Sequence, residues 1–149
     1  MVVMADKSVP TSDHIRDIIS FVEASPTSYH AVAELTRRLE QAGFQRLEET
    51  ESWPSVEGRR YVVRDGAVIA WITPEKVTPQ LGARIVGSHT DSPSFKLKPN
   101  ATVTNQGWQQ VGMEVYGGGL LNSWLDRDLG LSGRLVTCDG QAHLVRTGP

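Results

Sequence analysis

The sequence holds a single cysteine, Cys138, so neither an intrachain disulfide nor a cysteine-built zinc cage is available to it. No apolar run approaches the ~20 residues that span a bilayer. The start, Met1-Val2-Val3-Met4-Ala5, has neither the positive n-region nor the long apolar core of a secretory signal. Aromatics make up only 7% and the net charge is −2, with no basic stripe interleaved with aromatics, which argues against a nucleic-acid partner. Internal repeats and low-complexity segments are also missing. What is present, 39% hydrophobic and 21% charged residues over 149 positions, is the make-up of a soluble globular protein. The length suffices for one domain with a real core. The expected partners exclude membranes, and the expected location is cytoplasmic.

Residues 1–10 read as a disordered lead-in, and Thr11 or Ser12 as the N-cap of a first helix with Asp13 in its first turn. Ile15, Ile18, Ile19 and Val22 recur at helical spacing and predict one buried face, which Ser25-Pro26 ends. A second helix follows, with Val32, Leu35, Leu39 and Ala42 inward, Glu34, Arg37, Arg38 and Glu40 outward, and Gly43 as its left-handed cap. From Phe44 the period becomes alternating, an ambiguous edge-strand pattern, before a turn-rich passage at Trp53-Pro54. Asp65-Gly66 between Arg60–Arg64 and Ala67–Ile72 is a hairpin signal. A surface loop is expected over 73–82. After Pro93 the stretches Phe95–Pro99, Thr102–Thr104, Trp108–Tyr116, Leu131–Thr137 and Ala142–Arg146 are short and β-rich.

The chain is organised around Arg84-Ile85-Val86-Gly87-Ser88-His89-Thr90-Asp91-Ser92-Pro93. A β-branched run predicts a central buried strand, broken at Gly87, that delivers a histidine and an aspartate just past its end. Functional groups in open α/β sheets collect at such strand ends. A neutral His89 binds a divalent metal through one ring nitrogen, while the Asp91 carboxylate accepts a hydrogen bond from the other and fixes the tautomer. On spacing alone, a satisfied core histidine is the better account of His89, and a turn aspartate capping its own backbone accounts for Asp91.

The run Val86–Pro93 resembles the first metal-ligand motif of the aspartyl aminopeptidases, dinuclear zinc exopeptidases. Val111–Gly119 and Ser123-Trp124-Leu125-Asp126-Arg127-Asp128-Leu129 fall in that family's order, and Ala24–Ala31 looks like its N-terminal helix junction. The resemblance runs from about Ile15 onward and implies the N-terminal portion of a longer enzyme. It implies a mixed α/β fold: residues 1–93 as the first part of a zinc-exopeptidase catalytic domain, and 94–149 as the start of a β-rich inserted assembly domain. It further implies a zinc-dependent aminopeptidase, a hydrolase removing N-terminal, acidic residues from peptides, with two zinc ions per complete site and a homo-oligomeric full-length form. His89 is then a metal ligand and Asp91 its catalytic orienter.

Other residues carry less. Asp126 and Asp128 superficially look like a bridging-aspartate motif, but in the resembling family that aspartate lies in a later Arg-Leu-Asp-Asn pattern. They read instead as an Asp/Arg/Asp cluster fixing a turn or interface. Gly117-Gly118-Gly119 has no Walker lysine and no Gly-x-Gly-x-x-Gly spacing, so it reads as a bend or a close approach. Lys96 and Lys98 suit either an acidic substrate or a solvated strand face. Glu114 lies in the inserted unit and is not taken as a general base. His14, His30 and His143 show no ligand spacing, and His30 reads as structural. A two-zinc site needs more ligands than His89 and Asp91 supply, so the isolated chain is expected to be inactive. The alternatives are a non-catalytic assembly or regulatory module, and an unrelated metal- or carbohydrate-binding β domain.

Overall fold

The computed structural model describes residues 12–53, 57–76, 78 and 82–148. Helix α1, Asp13–Ala24, starts where Ser12 Oγ accepts the amide of Ile15. Thr27 caps α2, Ser28–Gln41, by accepting the His30 amide, and its hydroxyl also meets His30 Nδ1 at 2.8 Å. That bond gives His30 the structural role expected of it. At the far end Gly43 takes φ +80°. The amides of Phe44 and Gly43 return to the carbonyls of Leu39 and Glu40, closing the helix in a Schellman motif.

Three strands follow in the order β1–β2–β3: Gln45–Arg46, Gly58–Arg64 and Ala67–Thr73. β1 is a parallel edge, and β2 and β3 pair antiparallel from Gly58↔Thr73 to Arg64↔Ala67, across the Asp65-Gly66 turn that the sequence signals. Tyr61 on β2 is buried against α2 and donates from its hydroxyl to Glu40 Oε1. With Ala31 and Val32 it forms the fully buried core of the described residues.

Strands β4, Ser94–Asn105, and β5, Trp108–Tyr116, form a long hairpin turned by Gln106 and Gly107, whose φ values are +51° and +81°. Two successive positive φ angles match the twist of the flanking strands. The register breaks between Leu97 and Thr102, around Pro99, which has no amide to give the ladder. A 3-10 turn, Leu121–Trp124, lays Trp124 edge-on against Phe95. A last hairpin, β6 Ser132–Val136 with β7 Ala142–Arg146, returns to the helical end. There Arg134 pairs with Asp65 and lies over the Tyr29 ring, and Arg146 donates to the Glu23 carbonyl. The fold is mixed α/β, as expected.

Several sequence expectations need correction. Arg84–Val86 is not a central strand: residues 82–93 join no ladder, and Ile85 and Val86 are 88% and 98% exposed. A β-branched run favours extended backbone, but a strand forms only where a neighbour satisfies its amides. Between this segment and β3 lies a groove of about 1180 Å³ lined by Ile69, Ile72 and Ile85. Likewise Ile15, Ile18, Ile19 and Val22 form an apolar stripe that is about half exposed. α1 meets α2 chiefly through Arg38, which holds Asp17 and lies over the Phe21 ring. Ala42 faces solvent, whereas Glu34, expected outward, is drawn in by Arg37 and Arg38. The lead-in at 1–10, the alternative cap Thr11, the turn after Trp53 at 54–56, and positions 77 and 79–81 of the expected loop lie outside the described residues.

Candidate metal-ligand elbow

Four points fix the segment from Ser88 to Pro93. Thr90 Oγ1 donates to the Gly66 carbonyl at 2.6 Å, tying the segment to the β2–β3 turn. His89 Nδ1 lies 2.6 Å from the backbone carbonyl of Asp91. The Tyr116 hydroxyl, at the end of β5, donates to Asp91 Oδ2 at 2.6 Å. Gly117, at φ +72°, lies so close to Pro93 that an added Cβ would sit 3.3 Å from its ring.

The imidazole geometry has a chemical consequence. A carbonyl oxygen only accepts, so Nδ1 carries a proton, and in the neutral ring Nε2 then keeps its lone pair. The ring is 77% exposed, leaving Nε2 open to a cation. The orienting acceptor differs from the expected one: Asp91 offers its main-chain oxygen, while its carboxylate Oδ1 stands off at 3.6 Å. Backbone carbonyls and carboxylates both serve as partners of ligand histidines, so the exchange preserves the tautomer. The donated hydroxyl of Tyr116, and then Asp91's own amide, hold the Asp91 carboxyl below its usual range, and the Tyr116 phenol is pushed up in return. Lys96 Nζ sits 3.4 Å from the centre of the Tyr116 ring.

These residues fit one ligand of a zinc centre together with its orienting partner. Among the described residues no group of three or more His, Cys, Asp or Glu side chains gathers to hold a metal. Asp126 and Asp128 form no metal-holding group with the elbow among the described residues. Asp126 takes φ +52° in its turn, Arg127 donates to the Ser123 carbonyl, and no ion pair joins Arg127 to either aspartate among the described residues. The expected Asp/Arg/Asp cluster therefore reduces to a turn. Gly117 provides the close approach anticipated for the triple-glycine run.

Tyr116 was not singled out from the sequence. Its partner lies 25 residues away. The break in register around Pro99 prevents counting back from the Gln106-Gly107 turn to find what faces Asp91.

The arrangement leaves one histidine nitrogen facing solvent, and comparison with known proteins gives the class. The profile of the family described as Aminopeptidase I zinc metalloprotease (M18) matches residues 21–147, and the chain belongs to that family. It is 54% identical over 132 residues to a probable M18 family aminopeptidase 2 of Streptomyces avermitilis, covering 89% of this chain and 31% of that protein. Among solved structures, yeast aminopeptidase 1 (Ape1) superposes with a TM-score of 0.83 at 32% identity, over 92% of this chain and 34% of its own. A dodecameric form of the Saccharomyces enzyme gives a TM-score of 0.82 at the same 32% identity, over 92% of this chain and 34% of that one. The chain thus spans about a third of the length of the relatives it matches. No helix of the described residues is long and apolar enough to cross a membrane.

Proposed function

We propose that this chain carries the first metal-ligand segment of a cytoplasmic zinc aminopeptidase. Its substrates would be peptides with acidic N-terminal residues. His89 is the ligand, through Nε2, and Asp91 its orienter. The observation that supports this most directly is the 2.6 Å bond from His89 Nδ1 to the Asp91 carbonyl, which in the neutral ring makes the exposed outer nitrogen the one with a free lone pair. His89 would hold one of two zinc ions of a complete site, and zinc bound there would supply Lewis acidity toward a scissile carbonyl and toward water. The chain's own part is to present one nitrogen in a fixed tautomer; the remaining ligands and the general base belong to further sequence. Residues 1–93 belong in this reading to the catalytic unit and 94–149 to an assembly unit. The dodecamer of the solved yeast relative supports a homo-oligomer. The preference for acidic residues rests on the resemblance of the His-Thr-Asp segment to aspartyl aminopeptidases.

A chimera tests the proposal. Residues 21–147 replace their counterpart in the Streptomyces avermitilis relative, and release of N-terminal Asp, Glu and Leu from otherwise identical peptides is followed. The expected result is zinc-dependent release, fastest for the acidic residues, and its loss in His89→Ala. Full activity in His89→Ala would remove the ligand role; equal rates on all three peptides would remove the acidic preference.

A further inference from the structure

We infer that Tyr116 is a positioning residue for the His89–Asp91 elbow, holding it from the β4–β5 hairpin; this deepens the ligand reading above and rests on it. The strand register creates the contact. Ser94 pairs with Tyr116, so the first residue of β4 lies opposite the last of β5, and the phenol is carried back over the preceding turn. Its hydroxyl takes Asp91 Oδ2 at 2.6 Å, which leaves Oδ1 turned toward His89 Nδ1 at 3.6 Å, while the Asp91 carbonyl takes that nitrogen's proton. One further contact keeps the phenol in place: Lys96 Nζ lies 3.4 Å from the ring centre. The next residue, Gly117, leaves no room for a side chain beside Pro93. Because side chains alternate across a strand, a one-residue slip in register would send Tyr116 to the opposite face and release Asp91. The hairpin therefore anchors Asp91, and with it the main-chain carbonyl that holds the imidazole.

The test is Tyr116→Phe in the full chain, which keeps the ring and its cation and removes only the donor. Nitrogen-15 NMR of His89 reads the tautomer directly, and a merely structural contact would not move it. The expected spectrum of the unsubstituted chain shows one tautomer, protonated at Nδ1. Tyr116→Phe should free Asp91 to move and release the imidazole from it, giving the mixture of both tautomers that a solvated ring shows. The thermal midpoint should fall by no more than the loss of one hydrogen bond accounts for. In the chimera, which supplies the remaining ligands, the variant should hold zinc on the order of tenfold more weakly, the lower end of the usual cost of losing an outer partner of a ligand histidine. A tautomer and zinc affinity unchanged by Tyr116→Phe would overturn the proposal. If the variant does not fold, the unsubstituted chain still decides. A Tyr116 hydroxyl proton protected from exchange supports the proposal, and one exchanging as freely as a solvated phenol overturns it. The ligand reading fails separately, through undiminished activity of the His89→Ala chimera, whatever the His89 tautomer.

Discussion

Thr90 Oγ1 donates to the carbonyl of Gly66 at 2.6 Å, so the segment carrying His89 is bonded to the same turn that packs against the start of α2. A Cβ on Gly66 would lie 2.7 Å from Ser28 Oγ and 3.0 Å from Ser28 Cβ. The turn thus has helix on one side and the elbow on the other. Gly66→Ala is expected to cost about 1–3 kcal/mol, as overpacking does. Thr90→Val is expected to cost about 1 kcal/mol through the lost hydrogen bond. Urea titration of each variant measures both. Since the two substitutions act on opposite sides of one residue, their double mutant should depart from additivity.

Tyr61 offers a test at high pH. Burial, and then the hydrogen bond to Glu40, pushes its phenol up to about 12. In the unfolded chain a tyrosine loses its proton near 10. The folded state binds the proton more tightly, so this contribution is complete below about pH 10 and is lost as pH rises through 12. Tyr61→Phe should flatten the fall in thermal midpoint over that window. Its cost at neutral pH should be about 1 kcal/mol, because the Glu40 carboxylate left behind is exposed and rehydrates.

Glu34 provides the acid-side counterpart. Hydrogen bonds from Arg37 and then Arg38 hold its carboxyl down at about 2, against an ordinary value of 4.5. The contribution is present above the unfolded value and is lost as pH falls from 4.5 toward 2. Arg38 also grips Asp17, so the same cluster joins α1 to α2. Glu34→Gln should remove much of the pH dependence of the melting midpoint in that interval and loosen α1. Hydrogen exchange of the α1 amides is the readout.

The local architecture was largely legible because it follows from single residues. Ser12 caps because its hydroxyl accepts an orphan amide, Gly43 ends α2 because φ +80° suits it, and Asp65-Gly66 turns a hairpin between two β-branched runs. What failed depends on partners. Ile85 and Val86 have the composition of a core strand, and α1 has an apolar stripe, but composition does not say whether a covering surface is at hand. The elbow was half legible. His89 and Asp91 stand in a recognisable motif, yet whether a carboxylate or a carbonyl holds Nδ1 is a matter of rotamer. The part of Tyr116 follows from a register that a bulge conceals.

The exposed run at Ile85–Val86 yields the last prediction. A side chain that is 98% exposed contributes almost nothing by burial, so Val86→Ser should change unfolding free energy by no more than about 0.5 kcal/mol. Val32→Ala in the core should cost about 2 kcal/mol by comparison, since Val32 is only 3% exposed and its truncation opens a cavity. Extended apolar backbone with unpaired amides invites pairing between molecules, and a polar residue there weakens that tendency. Light scattering at rising concentration should therefore fall in Val86→Ser and stay high in Val32→Ala. Equal scattering from the unsubstituted chain and Val86→Ser would show that association runs through another face, the half-exposed stripe of α1 being the next to substitute.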